Sequence, residues 1–242
     1  VRVVGGMGLV AVRAVLDGIG AGGALRPGNN GQAQGASSSI VGYSALGQLL
    51  EKTGTPVRYG RSPVAAQQQD LMILTPDISA DPEELAALVK QRAYTGPTII
   101  ILPKWQVTPI KGLRTGWVQL ESPWIATHAP QVLSRLVSAS TRIEGVSEKF
   151  TRSPFIQAET PEQKTAMLKQ AIRSRVTISG DRLRTVLADP ETGAARVAVI
   201  DDGGWYPSLD RDAPAEAPQP SDAQYGRYPV VIVADADLMN NL

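Results

Sequence analysis

Residues 71–102 read LMILTPDISADPEELAALVKQRAYTGPTIIIL, and this stretch decides the fold. Its first five residues, LMILT, are an apolar run of strand length, as in a strand buried on both faces. Asp81 then precedes PEELAALVKQR. Pro82 at the first helical position, acids in the first turn and basic residues in the last predict a helix over 82–92. TIIIL, 98–102, is a second buried strand, rich in β-branched residues. Two buried strands joined by one helix make a βαβ unit, which implies parallel strands and a right-handed crossover.

Working outward, GYSALGQLLEKTG at 42–54 predicts a helix with Leu46, Leu49 and Leu50 on one face and Gly54 at the position after the C-cap. Residues 56–59 are expected to form a short strand. On the other side, 103–130 carry Trp105, Trp117 and Trp124 among several Pro and Gly, an irregular aromatic excursion. A short helix is expected at 131–139. A second helix is expected at about 160–173, with Thr160 and Gln163 at capping-box spacing and Pro161 at the first turn. RVTIS (175–179), RLRTVLA (182–188) and ARVAVID (195–201) read as strands, with DPETG as a hairpin turn. Residues 207–224 are a Pro/Ala/Asp-rich loop, and 229–234 form the last buried strand. The predicted architecture is α/β: a three-layer, mostly parallel sheet with an α+β insertion at about 104–225. The single α/β domain is expected to span 28–242.

Composition narrows the chemistry. Of 242 residues, 24 are Lys or Arg and 23 Asp or Glu, a net charge of +1, which asks for neither nucleic acid nor an anionic surface. Hydrophobic residues at 43% support a folded core. Cys is absent, which removes thiol nucleophiles, disulfides, iron–sulfur clusters and cysteine zinc sites. One His, His128, excludes a His-cluster metal site and leaves one imidazole for any triad. No cofactor and no bound metal are expected. The apolar run VVGGMGLVAV at 3–12 follows a basic residue and leads into small residues, a pattern similar to a signal-peptide core or an anchor remnant. Residues 1–27 are therefore read as a separate N-terminal segment, and the natural chain is expected to continue past Leu242.

Four motifs bear on chemistry. GIGAGG at 18–23 matches a dinucleotide fingerprint literally, but ALRPGNNGQ cannot open the helix that a pyrophosphate needs. GYSALG at 42–47 has one residue too many for a nucleophile elbow, so Ser44 reads as first-turn helix. Asp201 and Asp202 in DDGGWYP read equally as cation ligands or a tight turn. DADLMNN at 235–241 follows the last buried strand, at the carboxyl end where open α/β sheets place their sites. Asp235 and Asp237 there either serve a carboxylate- or metal-dependent hydrolase, with Asp201 or Asp202, or cap a following helix. A further reading is a scaffold that docks a partner on the aromatic excursion.

NNGQAQGASSSIVGYSALGQLLEKTG, a strand ending LTP, then TIIILPKW, and finally VVIVADADLMNN together resemble the bacterial family called domain of unknown function 4350. The resemblance is strongest at 29–103 and 228–242. It implies a flavodoxin-like or class I glutamine-amidotransferase-like fold, in a bacterial inner-membrane protein whose soluble domain faces the periplasm between anchoring segments. Glutaminase chemistry needs a Cys nucleophile, which this chain lacks, so the implied role is non-catalytic binding of a small polar ligand or an envelope protein partner. The residues this reading singles out are Asn29, Asn30, Ser44, Asp235, Asp237 and Asn240.

Overall fold

The structure, a computed structural model, describes residues 12–15, 33, 35, 37–60, 69–110, 112, 117–145, 169–204, 206, 209 and 227–240. Eleven strands are present: β1 (Val12–Val15), β2 (Tyr59–Gly60), β3 (Leu71–Leu74), β4 (Thr98–Ile101), β5 (Gln106–Pro109), β6 (Val118–Ser122), β7 (Ser140–Glu144), β8 (Arg175–Ser179), β9 (Leu183–Ala188), β10 (Ala195–Ile200) and β11 (Val230–Val233). Among the described residues, the α-helices α1 (Ser44–Lys52) and α2 (Pro82–Arg92) accompany them. Helix, strand, strand, helix, strand thus follow one another over 44–101, as the sequence predicts. Asp81 caps α2 by accepting from the Glu83 N–H at 2.8 Å. Gly54 takes φ +87 after α1, the left-handed position expected of it.

One sheet of nine strands runs in the order β2-β1-β3-β4-β11-β10-β8-β7, with β9 also paired to β10. From β2 to β11 every neighbouring pair is parallel. The pairs from β11 to β7 are antiparallel, as is β9 with β10. The fold is therefore mixed α/β, as the sequence predicts, and its central sheet joins a parallel half to an antiparallel half. The reason lies in the insertion. Only β5 and β6 form a separate ribbon, whereas β7 to β10 extend the main sheet. Domain limits also shift. Residues 12–15 were assigned to a separate N-terminal segment, yet β1 sits between β2 and β3 with Val12 opposite Leu71 and Ala14 opposite Tyr59. Residues 1–11 and 16–27 lie outside the described residues.

Strand alternation builds a core on each face of the sheet. Met72, Leu74, Ile100, Leu102, Ile232 and Ala234 meet Leu85 and Val89 of α2 and the 3-10 segments around Ala126 and Val132. Ile73, Ile101 and Val233 point the other way, toward Tyr43 and the partly buried Leu46 and Leu50 of α1. Leu49 departs from the predicted face and is 59% exposed. It lies about 100° around the helix from Leu50, outside the narrow stripe that docks. The short helix expected at 131–139 is a 3-10 segment at Ala129–Leu133. Of the helix expected near 160–173, residues 169–173 are described, and 169–172 of them are helical. The loop at 207–224 lies, but for residue 209, outside the described residues. No helix among the described residues is long and apolar enough to cross a membrane.

Two local features set testable costs. The serine loop before α1 folds tightly on itself: Ser44 N–H donates to the Ser37 carbonyl, and a Cβ on Gly42 would stand 2.1 Å from that oxygen. Backbone cannot yield there as a side chain would. Gly42→Ala is expected to cost about 1–3 kcal/mol, read from urea unfolding midpoints. The second feature is the β9–β10 turn. Asp189 is buried, which pushes its pKa up, but the Thr192 and Glu191 N–H groups, the Thr192 hydroxyl and Arg175 outweigh burial and hold it below the ordinary 3.8. A carboxyl lowered on folding stabilises above its unfolded value, and that contribution is lost as pH falls through the folded value. Asp189→Asn should therefore flatten the acid limb of the Tm-against-pH curve, below about pH 4, relative to the parent. Parallel acid limbs in the two proteins would refute this.

Candidate functional site

The parallel register decides which side chains meet at the carboxyl edge. Val233 lies opposite Ile101, and the Leu102 N–H donates to the Val233 carbonyl at 2.9 Å. Lys104 and Asp235 therefore leave neighbouring strands side by side, with opposite charge. The Lys104 side chain is fully buried, at 0% exposure. Its ammonium has three protons. They go to Asp235 Oδ1 at 3.0 Å, Asp237 Oδ2 at 2.5 Å and the Ser174 carbonyl at 2.7 Å. Arg196, from the start of β10, holds the other oxygen of Asp235. Trp105 Nε1–H donates to Asp237 Oδ1 at 2.6 Å, and the Asn240 amide donates to the same oxygen at 2.8 Å.

Two cations thus balance two carboxylates in a buried network that joins the ends of β4 and β11 to the starts of β8 and β10. Asp235 also caps the 3-10 turn Ala236–Leu238. The capping alternative is what the structure presents for Asp235. Asp237 keeps some exposure, 12% of its side chain. Tyr43, at the entry of α1, packs with Ala236 in the same core. Burial, and then the nearby Asp237 carboxylate, push the Tyr43 hydroxyl well above its ordinary pKa, so it stays neutral.

The residues singled out by sequence divide as follows. Asp235, Asp237 and Asn240 are brought together. Ser44 opens α1 beside Tyr43 and is half-buried; residues 37–43 before it form a loop and contain no strand, so the elbow geometry is not built. Asn29 and Asn30 lie outside the described residues. Asp201 and Asp202 are corrected away from this site. Because β10 runs antiparallel to β11, Arg196 at its start reaches Asp235 while Asp201 follows its far end, at the opposite edge. There Asp202 accepts from the Tyr206 hydroxyl and the Gly204 N–H, and Asp201 from the Gly203 N–H, so both serve a tight turn. Among the described residues, no group of three or more His, Cys, Asp and Glu side chains is placed to hold a metal ion. His128 stacks on Trp124 with ring centroids 4.2 Å apart, and its Nδ1 pairs with the Thr127 hydroxyl at 2.8 Å. Of the three tryptophans in the excursion, Trp105 is buried, Trp124 half-buried and Trp117 is 60% exposed.

Sequence reasoning missed Lys104, Trp105 and Arg196. A signal for the first was present: LPKW places one cation directly after a buried strand, as VADAD places carboxylates after another.

Beside the network lies a cleft of ≈ 160 Å³ at the carboxyl ends of β3 and β4. Thr75, Pro76, Asp77 and Ile78 line it from β3, Pro103 to Val107 supply Pro103, Trp105, Gln106 and Val107, and Ile125 and Ala33 complete it. Trp105 belongs to both features: it walls the cleft and donates to Asp237. No known protein family matches the chain, and no curated protein or solved structure matches it.

Proposed function

We propose that this chain is a non-catalytic binding domain of a membrane-anchored bacterial envelope protein, related to the domain of unknown function 4350 family and facing the periplasm. The observation that carries the non-catalytic reading is the place of Lys104. A carboxylate pair that shares a metal ion or divides acid and base work needs the space between its oxygens for that cation or proton traffic. Here the Lys104 ammonium fills the space and spends all three protons on fixed acceptors. The network is well suited to hold a sheet edge rigid beside a cleft, which is what a binding site requires.

The strand order supports the finer fold reading. Numbered along the parallel half alone, β2-β1-β3-β4-β11 is 2-1-3-4-5, the flavodoxin-like order. The missing Cys removes glutaminase chemistry whatever the finer fold.

The competing reading is a carboxylate-based hydrolase that uses Asp237, the carboxylate of the pair with an exposed edge. Generic ester, phosphomonoester and glycoside substrates distinguish the two. No turnover that depends on Asp237 is expected. Hydrolysis that Asp237→Asn abolishes while the fold is retained would establish the hydrolase instead. The setting is tested by fractionating bacteria that express the full-length protein: it should sediment with membranes, and recovery only in the cytosol would contradict the envelope assignment.

A further inference from the structure

We propose that the cleft at the carboxyl ends of β3 and β4 receives one cationic group, an alkylammonium or guanidinium on a short apolar stem, with Asp77 and Trp105 as the recognising residues. The proposal rests on the binding-domain reading and names the chemistry of its ligand. Size comes first. At ≈ 160 Å³ the cleft holds the volume of about five waters, well below a drug-sized pocket. That suits one side chain or one small head group.

Charge comes second. Among the described residues that line the cleft there is no Lys, Arg or His, and Asp77 is the one ionisable side chain. Behind the wall, Lys104 and Arg196 cancel Asp235 and Asp237, so among the described residues the local balance is that of Asp77: one negative charge. Asp77 commits only one oxygen internally. Its Oδ1 accepts from the Ser79 N–H and hydroxyl, both at 2.9 Å, and Oδ2 has no partner among the described residues. An anion would meet that carboxylate with nothing to offset it. A cation would find a charge-assisted hydrogen bond.

The walls come third. Pro76, Ile78, Pro103, Val107 and Ile125 give an apolar sleeve for a methylene stem. Trp105 adds an aromatic surface whose ring is locked in place by its bond to Asp237, so little side-chain entropy is lost on contact. The Lys104 ammonium already lies 5.3 Å from the ring centroid, but its charge is spent on the two aspartates. Gln106 lines the same cleft and carries an amide oxygen.

The source of such a group is either a free amine or a Lys or Arg side chain of a protein partner, and the probes separate them. Amide chemical shifts of the intact chain are followed during titration with acetyl-lysine amide, acetyl-arginine amide, the uncharged acetyl-norleucine amide, methyl glucoside, 1,5-diaminopentane and a short lysine-containing peptide. The lysine and arginine probes should shift Ile78, Gln106 and Val107 saturably, and the norleucine probe should not. Asp77→Asn keeps an oxygen for Ser79 but removes the charge, and should weaken binding about tenfold or more. Gln106→Glu should strengthen it. Tighter binding of the peptide assigns the cation to a protein partner, and tighter binding of the diamine to a small molecule. Equal response to norleucine, or binding that Asp77→Asn leaves unchanged, overturns the proposal. Response to the glucoside alone overturns the cationic class while the binding-domain reading stands. Silence with every probe counts against both.

Discussion

Lys104→Met should cost the domain about 3–5 kcal/mol, the largest loss expected of any single substitution here. The replacement is close in shape, so little packing is lost. What is lost is the cation that lets two carboxylates be buried together. Asp235 is fully buried and keeps Arg196 as its one cation, beside the Asp237 N–H of its cap, and Asp237 keeps the Trp105 and Asn240 donors but no cation. The Ser174 carbonyl also loses its donor. Against a total stability of about 5–15 kcal/mol, such a loss leaves the fold marginal. Neutralising one carboxylate restores the charge balance, so Lys104→Met combined with Asp237→Asn should be more stable than the sum of the two single losses predicts. Urea unfolding of the four proteins in this cycle measures the coupling. Additive losses would mean that the ion pairs contribute nothing beyond local packing.

Arg92→Met is expected to cost about 2–4 kcal/mol, by a different route. Arg92 ends α2 and is buried, with its guanidinium spread across the start of the two central strands. It donates to the Asp70 carbonyl at 2.5 Å, the Pro97 carbonyl at 3.2 Å and the Thr98 hydroxyl at 3.2 Å. Burial pulls its pKa below the ordinary value, and Asp70 pulls it back. Methionine fills the volume but leaves buried acceptors without donors. Arg92→Lys should recover little of the loss, because an ammonium on a single stem cannot reproduce the planar fork. Thermal melts of both variants decide this. A lysine variant as stable as the parent would show that charge alone matters at this position.

What was legible in the sequence is local. Asp81, Pro82 and the graded charges of 82–92 specify α2 locally, and the structure places it there. The turn at 189–193 was legible for the same reason: Asp189 satisfies the turn's own N–H groups, and Gly193 supplies the left-handed residue. Pairing across the sheet was not legible. Nothing near Ala195 announces that its strand turns antiparallel against β11, because that choice is made by partners some 35 positions away, with Val197 opposite Val233. The exclusion of Asp201 and Asp202 from the site follows from this one pairing. The site was half legible. Asp235 and Asp237 stood out because carboxylates after a buried strand are conspicuous. Lys104 passed unnoticed because a lone cation in sequence carries no sign of being buried, and its three acceptors lie 70 to 133 residues downstream. With it in place, the proposed reading of the acidic motif is a neutralised structural joint rather than candidate chemistry.

The central claim is that Lys104 occupies the position a metal ion would need between Asp235 and Asp237. Paramagnetic broadening by Mn²⁺ tests it directly, with amide signals of Ala236, Leu238 and Trp105 as the local reporters. The account predicts that these signals stay sharp as Mn²⁺ is added and do so equally in the parent and in Asp237→Asn. Saturable broadening centred on these residues, lost in Asp237→Asn and reversed by a chelator, would contradict it.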